Sequence, residues 1–401
     1  MYAFRKPFSA GTYAEMQWLG YAYKDILVIF QLLGYTASKF IGIKVISEIR
    51  ACQRIKYILL LICLAWFALL GFALTPPKFG VIWLFLNGLP LGMVWGLVFG
   101  VLEGRRYTEA MAAALSASFI VSSGVVKAIG LQLINLGVDP IWMPFFTAAL
   151  FIPPLILSVR MLGSVPPPTR EDILSRMERI PMMRQDRLAF LKNYAPGLCL
   201  LLFMHLALTG YRDFRDQFAI DILNELGVGK PENLWLPELG VAVVILTLLG
   251  SFSLIRGHRK ALLYVQVVML AGLILTGTTT LLFVRPELLG PVPSILWFAL
   301  TGLGLYAAYV PFHSILFDRI VACFRVNGNA GFMIYMADAT GYLGTLFILI
   351  FKVFNPYQLS YLEFFIYLTY LVLLYNVFFG GLSWTPLPTL IWDVINERSL
   401  S

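Results

Sequence analysis

Charge is scarce in this 401-residue chain. Asp, Glu, Lys and Arg together make up 13% of it, about half of what a soluble protein carries. A domain so short of charge cannot clothe its surface for water. Cysteine is scarce too: Cys52, Cys63, Cys199 and Cys323 show no C-x-x-C spacing and fall in apolar runs or basic loops. This argues against a disulfide framework and against zinc, and predicts free thiols. The 3 histidines form no metal-ligand pair. No nucleotide-binding loop and no acid–base or nucleophile cluster is present, so no enzyme, cofactor or metal is expected. Strand-period alternation is missing, which excludes a transmembrane β-barrel. What the chain does have is 59% hydrophobic residues, 15% aromatics and a mean hydropathy of +0.79. This is the composition of an all-α polytopic membrane protein.

A helix needs about 20 apolar residues to cross the hydrocarbon. Candidates lie near 24–44, 57–75, 80–102, 110–137, 141–162, 194–215, 238–256, 261–283, 292–317, 329–352 and 361–384. Five precede the long polar stretch 163–193 and six follow it, so the first half is one helix short of a repeat. Lys and Arg concentrate in alternate loops, 44–56, 103–109, 160–192, 256–260 and 318–327, and in the tail 385–401. The positive-inside rule makes these loops and the C-terminus cytoplasmic, without a forced exception. The net charge of +8 is thereby an orientation signal and not a nucleic-acid surface. Within the polar stretch, Pro166-Pro167-Pro168 leads to Thr169 and Asp172, an N-cap pattern. Ile173, Leu174, Met177 and Ile180 then share a face opposite Arg170, Arg176 and Arg179, as in an amphipathic helix on a membrane surface. A plain linker is the alternative.

Residues 34–50 close one span and enter a basic loop, and Gly34-Tyr35-Thr36-Ala37-Ser38-Lys39-Phe40-Ile41-Gly42 with Ser47-Glu48 and Arg50 resembles the loop between helices 2 and 3 of the major facilitator superfamily. The wording is similar to that of the organophosphate:phosphate antiporter branch, with one extra residue between Gly42 and Ser47. Tyr2-Ala3-Phe4-Arg5-Lys6-Pro7-Phe8 is similar to that branch's helix 1, where an arginine binds substrate phosphate. Gly210-Tyr211-Arg212-Asp213-Phe214-Arg215-Asp216 falls where the branch places its second phosphate-binding arginine. The chain also resembles an uncharacterised bacterial family of the superfamily. The resemblance implies two six-helix bundles. Residues 1–162 would hold a remnant of helix 1 with helices 2–6, 163–193 the cytoplasmic linker, 194–384 helices 7–12, and 385–401 a tail. Because only four residues precede Arg5, Met1 is expected to be an internal methionine of a longer product.

Ionisable residues inside spans are costly and normally face a partner or a wet cavity. Lys127 shares a stripe with Ser116, Ser123 and Asn135, and Asp338 shares one with Gly331, Tyr335, Tyr342 and Thr345. The two are expected to pair across the cavity in at least one gating state. The alternatives are a snorkelling Lys127 and a tyrosine-bonded Asp338. Gly88, Gly92, Gly96, Gly100 and Gly104 recur every four residues, a stripe that lets a neighbouring backbone come close. His205 and His313 lie in spans and read as packing residues or as bound to backbone carbonyls.

The expected function is secondary transport of a small organic anion by alternating access. The resemblance gives substrate binding to Arg5 and Arg212, with Arg215 the reserve for Arg212, and Lys6 and Lys127 are expected to bind substrate beside them. Arg212 with Asp216 as an interfacial ion pair four residues apart is the alternative. Coupling and gating fall to Asp338, Lys39, Glu48, Arg50, Glu103, Arg105, Asp318 and Arg319. Phosphate esters exchanged for phosphate lead, and a proton-coupled carboxylate or sugar-acid symporter is the alternative, with a non-transporting sensor or a membrane-embedded enzyme behind them. The expected setting is a monomer among the lipids of the inner (cytoplasmic) membrane.

Overall fold

The computed structural model describes all residues except 14–15, 50–52, 103–107, 167–183, 229–234, 253–254, 256, 318, 321–329, 355–358 and 385–401. Thirteen α-helices occur among the described residues. They are α1 (Tyr23–Glu48), α2 (Arg54–Leu74), α3 (Gly80–Leu102), α4 (Thr108–Asn135), α5 (Met143–Leu150), α6 (Ile152–Gly163), α7 (Arg184–Gln217), α8 (Ala219–Glu225), α9 (Trp235–Phe252), α10 (His258–Val284), α11 (Ser294–Ser314), α12 (Ala330–Phe354) and α13 (Tyr361–Trp384). Nine are long and apolar enough to span a membrane, and α5 with α6, bent by 44°, makes a tenth. The helix α7 is long enough but crowds Arg212, Asp213, Arg215 and Asp216 into its last turns. These helices cover the eleven expected spans. One boundary moves: 184–193, expected in the linker, are the first turns of α7. The amphipathic pattern at 169–180 and the tail lie outside the described residues.

Large apolar side chains point outward along many helices, Phe67, Leu157, Phe347, Leu374 and Phe378 among them. Such a surface is stable only against lipid, and helices suit it because every backbone amide finds its partner within its own segment. Packing sorts the helices by sequence. The first set joins α1 and α2 to α3, and α4 to α5. The second joins α7 to α12 and α13, and α10 to α11 and α13. The two sets meet where α1 runs along α12 and where α4 crosses α9 and α11. One end of the bundle carries the short turns after α2, α4 and α10, and the other carries the basic loops. Two of the turns at the short-turn end use the same device: Leu136-Gly137-Val138 and Leu226-Gly227-Val228 close α4 and α8 with positive-φ glycines. Val138 donates back to the Leu133 carbonyl and Val228 to that of Leu223.

Close approach of α1 and α3 follows from the glycine stripe. A Cβ on Gly88 would collide with the Gln31 carbonyl, and one on Gly34 with that of Phe85. Gly92 meets Tyr35 and Ser38 in the same way.

The first ten residues do not form a regular helix. Two 3-10 turns, Tyr2–Phe4 and Pro7–Ala10, enter the first set of helices, with Phe4 and Phe8 buried. Pro7 supplies no amide hydrogen, so the helical ladder breaks there. The carbonyls of Phe4 and Arg5 then need other donors. Asn87 of α3 donates to the Phe4 carbonyl at 3.0 Å and to that of Ala65 at 2.9 Å. Gln31 of α1 donates to the Arg5 carbonyl at 2.8 Å and to Asn87 Oδ1 at 2.8 Å. Two buried amides thus replace the lost helical bonds and hold Arg5 in place.

Two outcomes test this packing. Gly88→Leu forces α1 off α3 and is expected to destabilise by about 1–3 kcal/mol, read as a lower detergent melting temperature. Asn87→Ala strands two backbone carbonyls and is expected to cost about 1–3 kcal/mol by the same measurement. Asn87→Gln, which keeps an amide at that position, is expected to recover part of that loss.

Candidate functional site

Buried charge converges where the two sets of helices meet. Arg5, at 1% exposure, lays its guanidinium 3.8 Å from the ring centre of Tyr35 in α1 and 5.6 Å from that of Tyr342 in α12. Its Nε and Nη2 are buried and make no hydrogen bond, and among the described residues no carboxylate forms an ion pair with it. Lys6 reaches Asp216 of α7 at 2.5 Å. Lys127 of α4 bonds the other oxygen of the same carboxylate at 2.8 Å, and Ser123 donates to it as well. Two lysines thus share one aspartate. Arg212 turns to its neighbour Asp213 at 2.6 Å and to the hydroxyls of Tyr309 and Tyr342. Thr345 donates to the second Asp213 oxygen at 3.1 Å, so that carboxylate is fixed from two helices.

A cavity of about 440 Å³ opens beside Arg212, Tyr309, Tyr35 and Tyr342, whereas Arg5, Lys6 and Lys127 stand behind its walls and do not line it. Tyr35 and Lys39 of α1, Arg212 of α7, Tyr309 and His313 of α11, and Asp338 and Tyr342 of α12 line it, and Met1 and Tyr2 also face it. Its aliphatic walls come from Ile58 and Ile62 at the start of α2 and from Val159 and Leu162 at the end of α6. These positions place the cavity toward the basic-loop end.

Ion pairs close the opposite end. Lys24 bonds Asp221 at 2.6 Å, Lys352 bonds Asp25 at 2.7 Å, and the Tyr361 hydroxyl donates to Asp25 at 2.9 Å. Each joins one set of helices to the other. Asp221 lies in α8, outside the spans, where burial lifts its carboxyl above the ordinary value although Lys24 pulls the other way. Further in along α1 and α12, the Tyr35 and Tyr342 rings meet at 4.7 Å between centres, and Lys39 bonds Asp338. The register is regular: ten positions separate Asp25 from Tyr35 and Tyr342 from Lys352, and four separate Tyr35 from Lys39 and Asp338 from Tyr342. The two helices run antiparallel as a closed seam.

In this conformation several of the expected partners are replaced by others. Lys127 and Asp338 do not pair with each other in this conformation, because they stand near opposite ends of the bundle. Lys127 lies eight residues before the end of α4 and Asp338 eight residues after the start of α12, each about 12 Å from its own end. Asp216 and Lys39 hold them instead. Lys127 therefore does not snorkel, and Asp338 takes a lysine in place of a tyrosine. Arg212 does not pair with Asp216, whose carboxylate the two lysines occupy. Arg215, the reserve for substrate binding, points away from the cavity to Glu238 of α9 at 2.8 Å, to the Phe298 carbonyl at 2.8 Å and onto the Phe298 ring. Asn135 is exposed and leaves its stripe, whereas Ser116 and Ser123 keep to it.

Among the gating residues, Lys39 and Asp338 come together and Arg319 is buried at the basic-loop end. Arg50, Glu103, Arg105 and Asp318, with the side chain of Glu48, lie outside the described residues. Of the cysteines, Cys63 and Cys199 are free thiols, and Cys52 and Cys323 lie outside them. Sequence reasoning missed Gln31 and Asn87, offered Asp216 only as a partner of Arg212, and gave His313 no functional role. A polar residue in an apolar span is the signal that was present for the first two.

Comparison with solved structures places this architecture. Over 96% of this chain and 95% of the other, it is similar to the nucleoside transporter NupG in a mutant form, at 13% identity and a TM-score of 0.60. It is likewise similar to a D-xylose-proton symporter, with 13% identity, a TM-score of 0.59, and coverage of 96% and 94%. The human organic anion transporter MFSD10 (TETRAN) matches at 15% identity and a TM-score of 0.51, over 89% of this chain and 83% of its own. The fold is that of the major facilitator superfamily. A search of curated proteins finds no match. A family profile described as a family of unknown function, DUF5690, matches residues 7–385, and with nearly the whole chain covered the protein belongs to that family.

Proposed function

We propose that the protein is a secondary transporter of a small organic anion, working by alternating access between its two sets of helices. The observation that carries this reading is the surplus of buried positive charge. Lys39 with Asp338, Arg212 with Asp213, and Arg215 with Glu238 are balanced pairs. Lys6 and Lys127 together hold one Asp216, and Arg5 holds no acid. Among the described residues this leaves two positive charges over, with Arg5 directly behind the cavity-lining rings of Tyr35 and Tyr342, and an unpaired charge at such a depth costs several kcal/mol unless something compensates it. A substrate anion is that compensation. Arg5 and Arg212 both lean on Tyr342 from opposite sets of helices, so one ligand at that ring touches both halves.

The positive-inside pattern places the basic-loop end, and with it the cavity, on the cytoplasmic side of the inner membrane, and the closed seam on the outer side. This conformation is then inward-facing. The solved relatives carry a nucleoside, a sugar with a proton, and an organic anion, according to their descriptions. The motifs around Arg5 and Lys39 favour a phosphate ester exchanged for phosphate. Proton-coupled symport is the second reading, favoured by His313 standing in the cavity beside the Lys39–Asp338 pair. Monomeric protein in lipid suffices for either.

Binding is testable without knowing the substrate. Purified protein in detergent is screened by thermal shift against phosphorylated and carboxylated metabolites, where a ligand at 100 times its Kd stabilises by about 2.7 kcal/mol. Hits are taken to uptake in proteoliposomes. Arg5→Lys and Arg212→Lys are expected to weaken binding at least about tenfold, or about 1.4 kcal/mol, because an ammonium cannot reproduce the bidentate fork. Arg215→Lys keeps its pair with Glu238 and is expected to bind as the wild type does. Equal affinity in all three variants would remove the anion site from Arg5 and Arg212. Binding without uptake would make the protein a sensor.

A further inference from the structure

Two histidines in the spans, His205 and His313, are not used by the anion site, although His313 lines the cavity. Their rings lie 4.9 Å apart between centres, His205 on α7 and His313 on α11. Each has one buried ring nitrogen without a partner, Nδ1 of His205 and Nε2 of His313. The other His205 nitrogen, Nε2, is 3.2 Å from the Thr209 hydroxyl. A histidine serving only as packing would have both nitrogens satisfied or replaced by carbon, since an orphaned buried polar atom costs about 1–3 kcal/mol. Imidazole is also the side chain whose ordinary titration range lies nearest neutrality.

The surroundings of His313 say what a proton there would do. From its own helix Tyr309 packs at 4.9 Å, and from α7 come His205 and the Arg212 guanidinium. From α3 Trp95 meets it edge-on at 6.1 Å. From α12 the Asp338 carboxylate acts on it with the opposite sign to Arg212, and from α1 the Lys39 ammonium, held by that same carboxylate, acts with the same sign as Arg212. Asp338 thus lines one cavity with two basic side chains: Lys39, from the first set of helices, which it bonds, and His313, from its own set, which feels its charge.

Resting on the transporter reading above, we propose that His313 is a proton-binding site whose protonation exchanges the partner of Asp338, from Lys39 to His313. The proton adds to the free ring nitrogen, and no other bond is made or broken. The Lys39–Asp338 pair ties α1 to α12, whereas a His313–Asp338 pair lies wholly within the second set. Protonation therefore moves an ion pair from between the halves into one half. The carboxylate stays compensated throughout, and the inner end of the α1–α12 seam is released. His205 tunes this exchange as a second imidazole that cannot be cationic at the same time as its neighbour at ring-contact distance. The ligand is a proton, and the residue is a coupling residue of the anion carrier.

The test follows separation of the seam and needs no substrate. In protein with its cysteines replaced by serine, Phe40→Cys on α1 and Leu343→Cys on α12, both exposed, receive spin labels. Distances are measured in nanodiscs at about pH 8 and about pH 5, on either side of the imidazole range. In the His313-containing protein the longer-distance population is expected to grow severalfold at the lower pH. His313→Gln is expected to abolish that growth while leaving the high-pH distances unchanged. Lys39→Met removes the tie and is expected to give the longer distance at both pH values, with or without His313. A pH response that persists in His313→Gln, or none in its parent, overturns the proposal. Loss of anion binding with an intact distance response would overturn the transporter reading and leave the proton site standing.

Discussion

An arginine side chain in hydrocarbon must be compensated by something, and Arg5 sets this requirement where the protein has least to offer. Its guanidinium is deep in the bundle with the faces of Tyr35 and Tyr342 as its nearest support. A desolvated cation over an aromatic ring gains about 2 kcal/mol, which offsets part of the cost of burial and leaves the rest. The neighbouring charges are matched or nearly so, and the matching uses up the acids: Asp213 goes to Arg212, Asp216 to two lysines, Asp338 to Lys39 and Glu238 to Arg215. The backbone around Arg5 obeys the same constraint. Gln31 and Asn87 are spent on the carbonyls that the break before Pro7 leaves open, which keeps the guanidinium from withdrawing.

The ion pairs between the halves are uneven in place and in cost. Four bridges and a tyrosine hydroxyl gather toward the short-turn end, where α8 and the start of α13 cover them. Among the described residues, the pair toward the basic-loop end of the α1–α12 seam is Lys39 with Asp338. Breaking one partner away from a buried pair costs about 3–5 kcal/mol unless the stranded charge finds water or another partner. In the proposed cycle, opening the short-turn end must therefore hydrate several charges at once. Lys24 and Asp25 at the first turn of α1 are placed for this, since water reaches that end of the bundle first. Lys39 and Asp338 lie deeper, and for them an alternative partner matters more than hydration.

Much of the architecture was legible in the sequence. Apolar runs of span length identified the helices, and the Gly88–Gly92 stripe foretold the tight α1–α3 contact, because both signals are local. The linker boundary was missed for the opposite reason: residues 184–193 are polar, and hydropathy cannot see a helix that has left the hydrocarbon while its backbone continues unbroken. In the site, Lys127 and Asp338 were recognised as costly charges, which follows from composition within a span. Their partners were not recognised, because partnership depends on depth as well as on face. Counting residues from the ends of α4 and α12 shows that the two cannot be level. The same count brings Lys39 and Asp338 together, but it does not find Asp216 for Lys127, since Asp216 is one residue from the end of α7 and Lys127 eight from the end of α4.

Depth also separates two arginines that the sequence could not rank. Arg212 and Arg215 stand three residues apart on α7, almost a full turn, yet they have different tasks. Arg215 meets Glu238 on α9, the carbonyl of Phe298 on α11 and the face of that same phenylalanine, so its charge and its plane are both occupied. Arg212 has the carboxylate of its own neighbour, and its remaining contacts are hydroxyls at the cavity wall. A hydroxyl can turn to another acceptor when a ligand arrives, whereas Glu238 has no other cation to turn to among its described ion pairs. The arginine whose partners can be exchanged is the one fitted to bind a substrate and release it.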